Sequence, residues 1–377
     1  MDFTYSEEQQ MLADSLRRFV ESEYTFAQRR RRAREGASFD RAIWTRLAEM
    51  GVLGLTAPAE YGGFGEGAAS RLVVQRELGR ALVLEPVIAC SVMATAILAA
   101  YASAAQQDRW LGAIATGQQV VVPAFAETAS RYRLDAVATR ATPVGRGYVL
   151  DGTKALVWHG EAADAFIVSA RVGDAATGEI ALFLVPRESR GVSVAGYPTM
   201  DGQRAADVSF EAVVLGAEAL IGAPGAGVAA LGHGVDHGIA ALCAEAAGAM
   251  ERLIEITGEY LRTRRQFGQP LAAFQALQHR MADMLVHKEL ALSMAYVAAQ
   301  ALDEPDARKR RRMLAAAKVT VAEAGRFVGQ QAVQLHGGMG MTDELEVGDY
   351  FKRLTMFDPL LGDTDHHLAN YVEAMED

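Results

Sequence analysis

The chain carries the segment Gln334-Leu335-His336-Gly337-Gly338-Met339-Gly340, preceded by the segments Arg264-Arg265-Gln266-Phe267-Gly268 and Phe274-Gln275-Ala276-Leu277-Gln278-His279. By itself the pair Gly337-Gly338 is typical of a helix end followed by a turn, because glycine readily adopts the left-handed conformation found there. A short glycine motif is therefore weak evidence for a ligand site. The order and spacing of the three segments carry more information than any one of them.

Apolar residues recur at helical spacing around these segments. The residues on one face of a first predicted helix are Leu242, Ala246, Ala249, Leu253 and Ile256, and those on a second are Leu277, Met281, Met284 and Leu285. Such a stripe is the pattern of a helix that buries one face. We therefore predict a C-terminal helical bundle over residues 226–377.

A different pattern, of short β-rich runs separated by glycine, aspartate and proline, fills residues 118–225. The runs are Val120–Val122, Tyr148–Leu150, Ala165–Val168, Ile180–Val185 and Val208–Phe210. Turns such as Asp151-Gly152 are typical of antiparallel connections. Residues 1–117 show helical spacing again. The predicted fold class is α+β, with an N-terminal helical domain (1–117), a middle antiparallel β domain (118–225) and a C-terminal helical bundle (226–377).

The composition argues against several classes of protein. The formal net charge of −10 at pH 7 makes a nucleic-acid partner unexpected, because such binding depends on clustered lysine and arginine. Two basic runs, Arg29–Arg32 and Arg308–Arg312, are interpreted as solvated helix faces. Cys90 and Cys243 are widely separated and lie in apolar surroundings. They are interpreted as buried thiols in a reducing compartment.

The sequence shows no signal for a membrane or for export. Met1–Glu8 lack the cationic and apolar regions of a secretory leader. No run reaches the roughly 18 uninterrupted apolar residues that a membrane span needs. We therefore expect no membrane insertion and a cytoplasmic location.

The helical, β, helical order, with Glu60-Tyr61-Gly62-Gly63 in the first part and the segments quoted above, resembles the acyl-CoA dehydrogenase superfamily. The runs Gly337–Leu345, Tyr350–Met356 and Gly362–Leu368 are most similar to pimeloyl-CoA dehydrogenase small subunits and to subunits of steroid-degradation dehydrogenases. The resemblance implies an FAD-dependent enzyme that desaturates an acyl-CoA thioester between its α and β carbons. It also implies fatty acid or steroid side-chain degradation, in a homo-oligomer or in a heterotetramer with a larger acyl-CoA dehydrogenase subunit.

The resemblance further implies that FAD is held across a subunit interface. Arg264 would pair with the pyrophosphate of a neighbouring subunit's FAD, since the rigid fork of a guanidinium matches phosphate oxygens. Phe267 and Gln275 would flank the same cofactor. The other implied cofactor contacts are Gln334, Gly337, Gly338, Thr364 and Phe125. Thr364 is explained nearly as well as an ordinary helix N-cap.

The β domain departs from the family pattern at the flavin ring. Phe125-Ala126-Glu127 stands where the family commonly has a Thr-Glu-Pro-Gly stretch, so the hydroxyl residue is replaced by alanine. Trp158 stands where a threonine usually donates to the flavin, so that side-chain donor is lost. The adjacent His159 is interpreted as a surface loop residue. These departures concern the ring environment and not the fold.

The resemblance implies a glutamate that removes the α proton, at one of two positions. Here those positions are Gly362, before the last helix, and Gly238, near the start of the first C-terminal helix. Proton removal from carbon needs a carboxylate whose pKa is raised toward the working pH by burial. Asp363, adjacent to the first position, and Glu245, on the same helix face as the second, are the candidate bases. Glu245 is either a buried residue with a partner or a function, or an ordinary solvent-facing one.

Three hypotheses follow. In the leading one, the chain is a subunit of a heteromeric dehydrogenase whose partner supplies the base. In the second it is self-sufficient and uses Asp363 or Glu245, and in the third it is a catalytically silent structural subunit. A metal site is not expected at Asp365-His366-His367, because adjacent histidines point to different helix faces.

Overall fold

The computed structural model of the protein describes residues 6–36, 39–173 and 178–376. Met1–Tyr5, on which the expectation of no secretory leader partly rests, lie outside the described residues. The α-helices are α1 (Glu7–Glu23), α2 (Phe26–Arg34), α3 (Arg41–Glu49), α4 (Ala68–Arg80), α5 (Thr95–Tyr101), α6 (Ala104–Ala115), α7 (Gly227–Thr263), α8 (Gln275–Ala301), α9 (Ala307–His336), α10 (Val347–Phe357) and α11 (Thr364–Glu376). A fully buried π-helix, Val87–Ala94, directly precedes α5.

The middle of the chain forms a mixed β-sheet. Its strands are β1 (Val121–Ala124), β2 (Arg140–Val144), β3 (Gly147–Trp158), β4 (Ala165–Val172), β5 (Glu179–Pro186), β6 (Val192–Pro198), β7 (Arg204–Leu215) and β8 (Leu220–Ile221). The strand order is β6-β7-β3-β2-β4-β5-β8, with β1 beside β4. Most pairings are antiparallel, as predicted, but β4 pairs in parallel with both β1 and β2. Consecutive residues of β4 and β5 are buried, so both faces of the sheet are covered there.

The helical, β, helical order confirms the predicted fold class. The chain divides into two compact units that cross these boundaries. One unit contains Met1–Arg34, Ala68–Val83 and Ile239–Asp377, and the other contains Glu35–Gly67 and Leu84–Gly238. The domain limits at residues 117 and 225 remain predictions.

Two glycines let α4 and α7 meet backbone to backbone. A Cβ built on Gly79 of α4 would lie 2.0 Å from the Glu245 carbonyl oxygen. A Cβ built on Gly248 of α7 would lie 1.9 Å from the Arg76 carbonyl oxygen. Neither carbonyl can rotate away as a side chain can, so any larger residue forces the two helices apart.

We expect Gly248→Ala to lower the free energy of unfolding by about 3 kcal/mol, at the upper end of the usual cost of overpacking. Gly348→Ala in α10 is the matched control, because its added methyl would meet no atom within 4 Å. That substitution is expected to be neutral or stabilising by up to about 1 kcal/mol. Urea unfolding of the two variants measures the difference, and equal destabilisation would contradict the backbone contact.

The interpretation of Arg29–Arg32 as a solvated helix face is wrong for two of its members. The Arg29 and Arg32 side chains are buried, with 1% and 8% of their surface exposed. Arg29 Nε donates to the Leu82 carbonyl oxygen at 2.7 Å, and Arg29 and Arg30 both pair with Asp349 of α10. These partners lie far away in sequence, so the charge run alone did not reveal them.

The burial of both cysteines and the exposure of most of the second basic run agree with the sequence analysis. Both cysteine side chains are fully buried, and burial raises the pKa of each thiol to about 12. Arg308, Lys309, Arg311 and Arg312 are exposed. Among the helices of the described residues, none has the length and apolar character to cross a bilayer.

Candidate functional site

Arg264 and Phe267 lie on a hairpin between α7 and α8. Its strands, β9 (Arg265–Gln266) and β10 (Gln269–Pro270), leave only Phe267 and Gly268 to form the turn. Both have positive φ angles, 51° and 80°, as a type I′ turn requires. A bulky residue in this conformation is uncommon and costs about 1 kcal/mol or more. The Phe267 side chain is 90% exposed, so packing within this chain offsets little of that cost.

The polar side chains of this region face outward. Arg264, Gln275 and Gln334 are all exposed. The Arg264 guanidinium makes no hydrogen bond or ion pair with any other residue that the structure describes. Its charge is therefore available to an anion from outside this chain.

An aromatic contact brings the Arg264 segment to the Gly337-Gly338 segment. Tyr260, one turn before Arg264, stacks on His336 with ring centroids 4.3 Å apart. The Tyr260 hydroxyl also donates to the His336 carbonyl oxygen at 3.3 Å. His336 ends α9 and directly precedes the glycines. The two segments quoted first thus lie together in one unit.

The two glycines after α9 differ in what their positions require. Gly337 has a φ of 59° and a ψ of −141° where α9 ends, a conformation open essentially only to glycine, and its N–H donates to the Gln334 carbonyl oxygen. Gly338 has no positive φ, and a Cβ built on it would meet no atom within 4 Å. None of the described residues therefore requires glycine at Gly338.

A buried polar atom beside the glycines lacks a partner. His336 Nδ1–H donates to the Ala332 carbonyl oxygen at 2.8 Å, whereas His336 Nε2 has no partner among the described residues. Such atoms are uncommon in folded proteins and often mark a missing ligand or ion. In this tautomer Nε2 is an acceptor and would meet a donor group of a ligand. The Arg264 charge and the exposed backbone at Gly338 fit a phosphate-bearing cofactor such as FAD.

Thr364 is the first residue of α11 and is bonded within the chain. Its N–H and its hydroxyl both donate to Asp358 Oδ1, at 3.0 and 2.7 Å. Asp363 holds the capping position instead, because its carboxylate accepts the His366 N–H at 2.9 Å. The N-cap explanation therefore applies to Asp363 and not to Thr364.

Gly362, one of the two positions predicted to correspond to the catalytic glutamate, is enclosed by its neighbours. Its φ is 112°, a conformation that side chains rarely adopt. A Cβ built there would lie 2.5 Å from His367 Nε2 and 2.7 Å from His366 Cδ2. Only a residue without a side chain fits this position while His367 keeps its place.

A buried lysine fixes the loop that contains Gly362. Lys318 is completely buried, and its Nζ donates to the carbonyl oxygens of Phe357, Asp358 and Gly362 at 2.9, 2.9 and 2.8 Å. The ammonium satisfies carbonyls at the C-terminal end of α10, where cations are favoured. Burial lowers the pKa of Lys318 to about 8, so the group is mostly charged at neutral pH. The loop conformation is set by these bonds.

His367 closes the same loop from the other side. Its Nε2–H donates to the Leu361 carbonyl oxygen at 3.0 Å, and only 4% of the residue is exposed. Burial, and then the nearby charge of Lys318, lowers the pKa of His367 to about 4. The native ring is therefore neutral at physiological pH.

We expect His367 to make the protein less stable in acid. Between pH 6.5 and about pH 4 the unfolded chain binds a proton that native His367 does not, so stability falls as the pH is lowered through this window. The contribution of His367 is up to about 3 kcal/mol. Urea unfolding across this range should show a shallower pH dependence for His367→Gln, which keeps a side-chain N–H. The exposed His279→Gln is the control, and an equal change there would contradict the assignment.

Glu245 is buried and paired. Its carboxylate accepts hydrogen bonds from Arg353 Nε at 3.1 Å and from Arg353 Nη2 at 2.6 Å. The exposed fraction of its side chain is 8%, and that of Arg353 is 4%. A bidentate guanidinium occupies both oxygens of the carboxylate with charge-assisted hydrogen bonds. Of the two interpretations of Glu245, the structure favours the buried residue with a partner.

The predicted flavin-ring segments lie in the second unit. Phe125 follows β1 and is half-buried. The Trp158 indole N–H donates to Gln203 Oε1 at 2.6 Å, so it is occupied within the chain. His159 is only 2% exposed and stacks on Trp158, so its interpretation as a surface loop residue is wrong. Its N–H donates to the Arg204 carbonyl oxygen, which ties it to β7.

Sequence analysis did not single out a histidine pair at the start of α7. The rings of His233 and His237 lie 4.6 Å apart, and Tyr101 contacts His233 at 6.0 Å. The two histidines are four residues apart and directly precede Gly238. This spacing places both rings on one helix face, and it was the signal that the sequence offered. No group of three potential metal ligands occurs within the described part of the chain.

Comparison with known proteins identifies relatives along the whole chain. Models of the acyl-CoA dehydrogenase N-terminal, middle and C-terminal domains match residues 6–118, 123–213 and 225–375. Acyl-CoA dehydrogenase FadE27 of Mycobacterium tuberculosis is 30% identical over 360 residues, covering 93% of this chain and 92% of that protein. Mitochondrial isovaleryl-CoA dehydrogenase of Oryza sativa subsp. japonica is 29% identical, with 92% and 87% covered.

Solved structures share the fold. The ChsE4-ChsE5 complex from Mycobacterium tuberculosis matches with a TM-score of 0.89 at 27% identity, covering 100% of this chain and 99% of that chain. Butyryl-CoA dehydrogenase from Megasphaera elsdenii matches with a TM-score of 0.91 at 23% identity, with both chains fully covered.

Proposed function

Because the chain belongs to the acyl-CoA dehydrogenase family, we propose that it is one subunit of a heteromeric enzyme whose partner supplies the catalytic base. The protein is an oxidoreductase that acts on acyl-CoA thioesters, and its cofactor is FAD. When bound, FAD accepts a hydride from the β carbon of the thioester. We propose a cytoplasmic location and an acyl group from fatty acid or steroid side-chain degradation.

The packing around Gly362 carries the proposal of a missing base. A glutamate at this position would overlap the His367 ring, and Lys318 holds the loop backbone in place. The other usual position, Gly238, is a buried residue of α7 with no carboxylate of its own. The chain therefore offers no glutamate at either position where the family removes the α proton.

The two candidate carboxylates are engaged in other contacts. Glu245 is paired with Arg353, and Asp363 accepts a backbone N–H at the start of α11. A general base must be aimed at the proton that it removes, and these contacts direct both carboxylates toward groups of this chain. These contacts support a base from another chain over a base from Glu245 or Asp363.

The FAD-binding role of this chain is better supported. Arg264 would bind the pyrophosphate as a bidentate donor, and the exposed backbone of Gly338 would approach the same phosphates. Gly337 would shape this turn, because its own N–H donates to the Gln334 carbonyl oxygen. Phe267, exposed on a strained turn, would pack against a cofactor or subunit outside this chain. Gln275, Gln334, Thr364 and Phe125 remain proposed cofactor contacts.

A heteromeric assembly agrees with the relatives. ChsE4-ChsE5 is a complex of two named components, and this chain covers its matched chain almost entirely. We propose a heterotetramer with a larger acyl-CoA dehydrogenase subunit, in which that subunit contributes the carboxylate. A homo-oligomer is the alternative arrangement.

Anaerobic flavin bleaching tests the proposal. The chain is purified alone and after co-expression with a larger homologous subunit, and each sample receives FAD and a panel of acyl-CoA thioesters. We expect bleaching only in the complex, with weak FAD binding or no reduction in the isolated chain. Robust bleaching in the isolated homo-oligomer would overturn the need for a partner.

Two alternatives give different results in the same assay. A self-sufficient enzyme that uses Asp363 would bleach alone and lose this activity in Asp363→Asn. A catalytically silent subunit would carry no flavin absorbance in either sample. A complex that retains FAD on this chain and depends on Arg264 excludes the silent subunit.

A further inference from the structure

A buried ion pair lies at the centre of the β-sheet. Lys154 of β3 is completely buried, and its Nζ donates to Glu127 Oε1 at 2.6 Å and to Ser169 Oγ at 3.0 Å. Removing two charges from water is costly, and apolar residues of similar size are often as stabilising as such a pair. Stability alone is therefore a weak explanation for the pair.

Glu127 ties three parts of the chain together. Besides Lys154, its carboxylate accepts the N–H of Ala138, and the N–H and hydroxyl of Thr139, at 2.7, 3.0 and 2.8 Å. The neighbouring Ala126 carbonyl oxygen accepts the Ala155 N–H at 2.8 Å. The segment that follows β1 is thus fixed to β3 and to the residues that precede β2.

Strained backbone lies on both sides of this pair. Arg131, Leu156 and His159 have positive φ angles of 46°, 52° and 58°. Leu156 belongs to an irregularity between β3 and β7, and its side chain is 65% exposed. Its N–H donates to Asp207 Oδ1 at 3.2 Å, which holds the irregularity in place. Strain of this kind persists only where the surroundings enforce it, and it concentrates at functional sites.

We propose that Glu127 and Lys154 are positioning residues that hold the segments 125–131 and 155–160 in the one conformation that receives the flavin ring. This inference rests on the proposed function, in which both segments face the ring. The pair acts through the backbone, because each Glu127 oxygen is already bonded within the chain. Burial lowers the pKa of Lys154 to about 8, while Glu127 opposes this shift, so the pair is charged at neutral pH.

Hydrogen exchange in flavin-free protein tests the coupling of the two segments. Glu127→Gln/Lys154→Met removes both charges with little change in size. We expect amide exchange to rise at least tenfold in both segments together while β5 stays protected. Arg133→Ala, which removes an exposed ion pair with Asp135 in the same loop, is the control and should leave exchange unchanged. Faster exchange in one segment alone, or across the whole sheet, would overturn the coupling.

Flavin binding tests whether the two coupled segments receive the flavin ring. The FAD dissociation constant and the fine structure of the flavin absorption bands are measured in the assembled complex. We expect the single variants and the double variant to bind FAD at least tenfold more weakly and to show altered absorption bands. This result is expected even if the double variant is as stable toward urea as the wild type. If the double variant has wild-type stability, FAD affinity and flavin spectrum, the pair has only a structural role, and the proposal is overturned.

The two tests separate this inference from the proposed function. If the wild-type complex binds no FAD, the proposed function fails, and the role of the pair toward the ring fails with it. If the wild type binds FAD but the double variant exchanges and binds normally, only the positioning role fails.

Discussion

Arg353→Ala is expected to lower the free energy of unfolding by about 3–5 kcal/mol, because it leaves the Glu245 carboxylate buried without its partner. The two side chains are almost inaccessible to water and share two hydrogen bonds. Water cannot replace the guanidinium without opening the contact between α7 and α10. Urea unfolding followed by circular dichroism measures the loss.

A surface ion pair of the same unit provides the matched control. Arg326 pairs with Asp358 at 3.0 Å, but 54% of its side chain is exposed. Arg326→Ala should therefore cost about 1 kcal/mol or less. A similar loss of stability in Arg353→Ala and Arg326→Ala would contradict the claim that burial makes the Glu245–Arg353 pair costly to break.

The same pair bears on the identity of the base. Glu245→Leu/Arg353→Met replaces both charges by apolar residues and should recover most of the stability, as buried pairs often do. If the role of Glu245 is only structural, the double variant that recovers stability should also recover flavin reduction in the assembled complex. Reduction that stays abolished in a stable double variant would instead return Glu245 to the list of candidate bases.

Gly362→Glu is expected to destabilise the protein by about 2–5 kcal/mol and to give the isolated chain no acyl-CoA-dependent flavin reduction. The positive φ costs about 1–3 kcal/mol for a residue with a side chain, and overlap with the buried His367 ring costs about 1–3 more. A glutamate introduced without removing His367 cannot take the position that its chemistry requires. Anaerobic stopped-flow absorbance and urea unfolding measure the two effects.

Gly362→Glu/His367→Ala should behave differently from the single variant. The shorter side chain removes the nearer of the two rings that an added Cβ would meet, so that only the His366 ring, at 2.7 Å, has to shift. A placed general base raises rates by about a hundredfold or more. His367→Ala alone is the control and should give no increase. If Gly362→Glu alone bleaches flavin as fast as the double variant, His367 is not what excludes the carboxylate.

Local patterns in the sequence were sufficient for the fold class and the cofactor. The period of apolar residues changes from helical to β and back, and the spacing of Arg264 from Gly337-Gly338 marks a family whose members bind FAD. These features depend on residues close together in the chain or on their order along it. The family models and the observed helices and strands confirm them.

The partners of charged and polar side chains required the tertiary structure. Arg29 lies in a run of arginines, yet it is buried because Leu82 and Asp349 meet it. His159 is interior because β7 covers its backbone, which one histidine in a turn-like stretch did not reveal. In each case the deciding contact joins residues that are distant in sequence.

The sequence by itself determined that this chain is an acyl-CoA dehydrogenase-type flavoprotein, and it predicted glycine at both positions that correspond to the catalytic glutamate. Only the tertiary structure decided what surrounds those glycines and the two candidate carboxylates. Arg353 neutralises Glu245, while the His367 ring and the Lys318 ammonium fix the loop at Gly362. The reason is physical: whether a carboxylate is paired and whether a side chain fits depend on neighbours that long-range packing brings together.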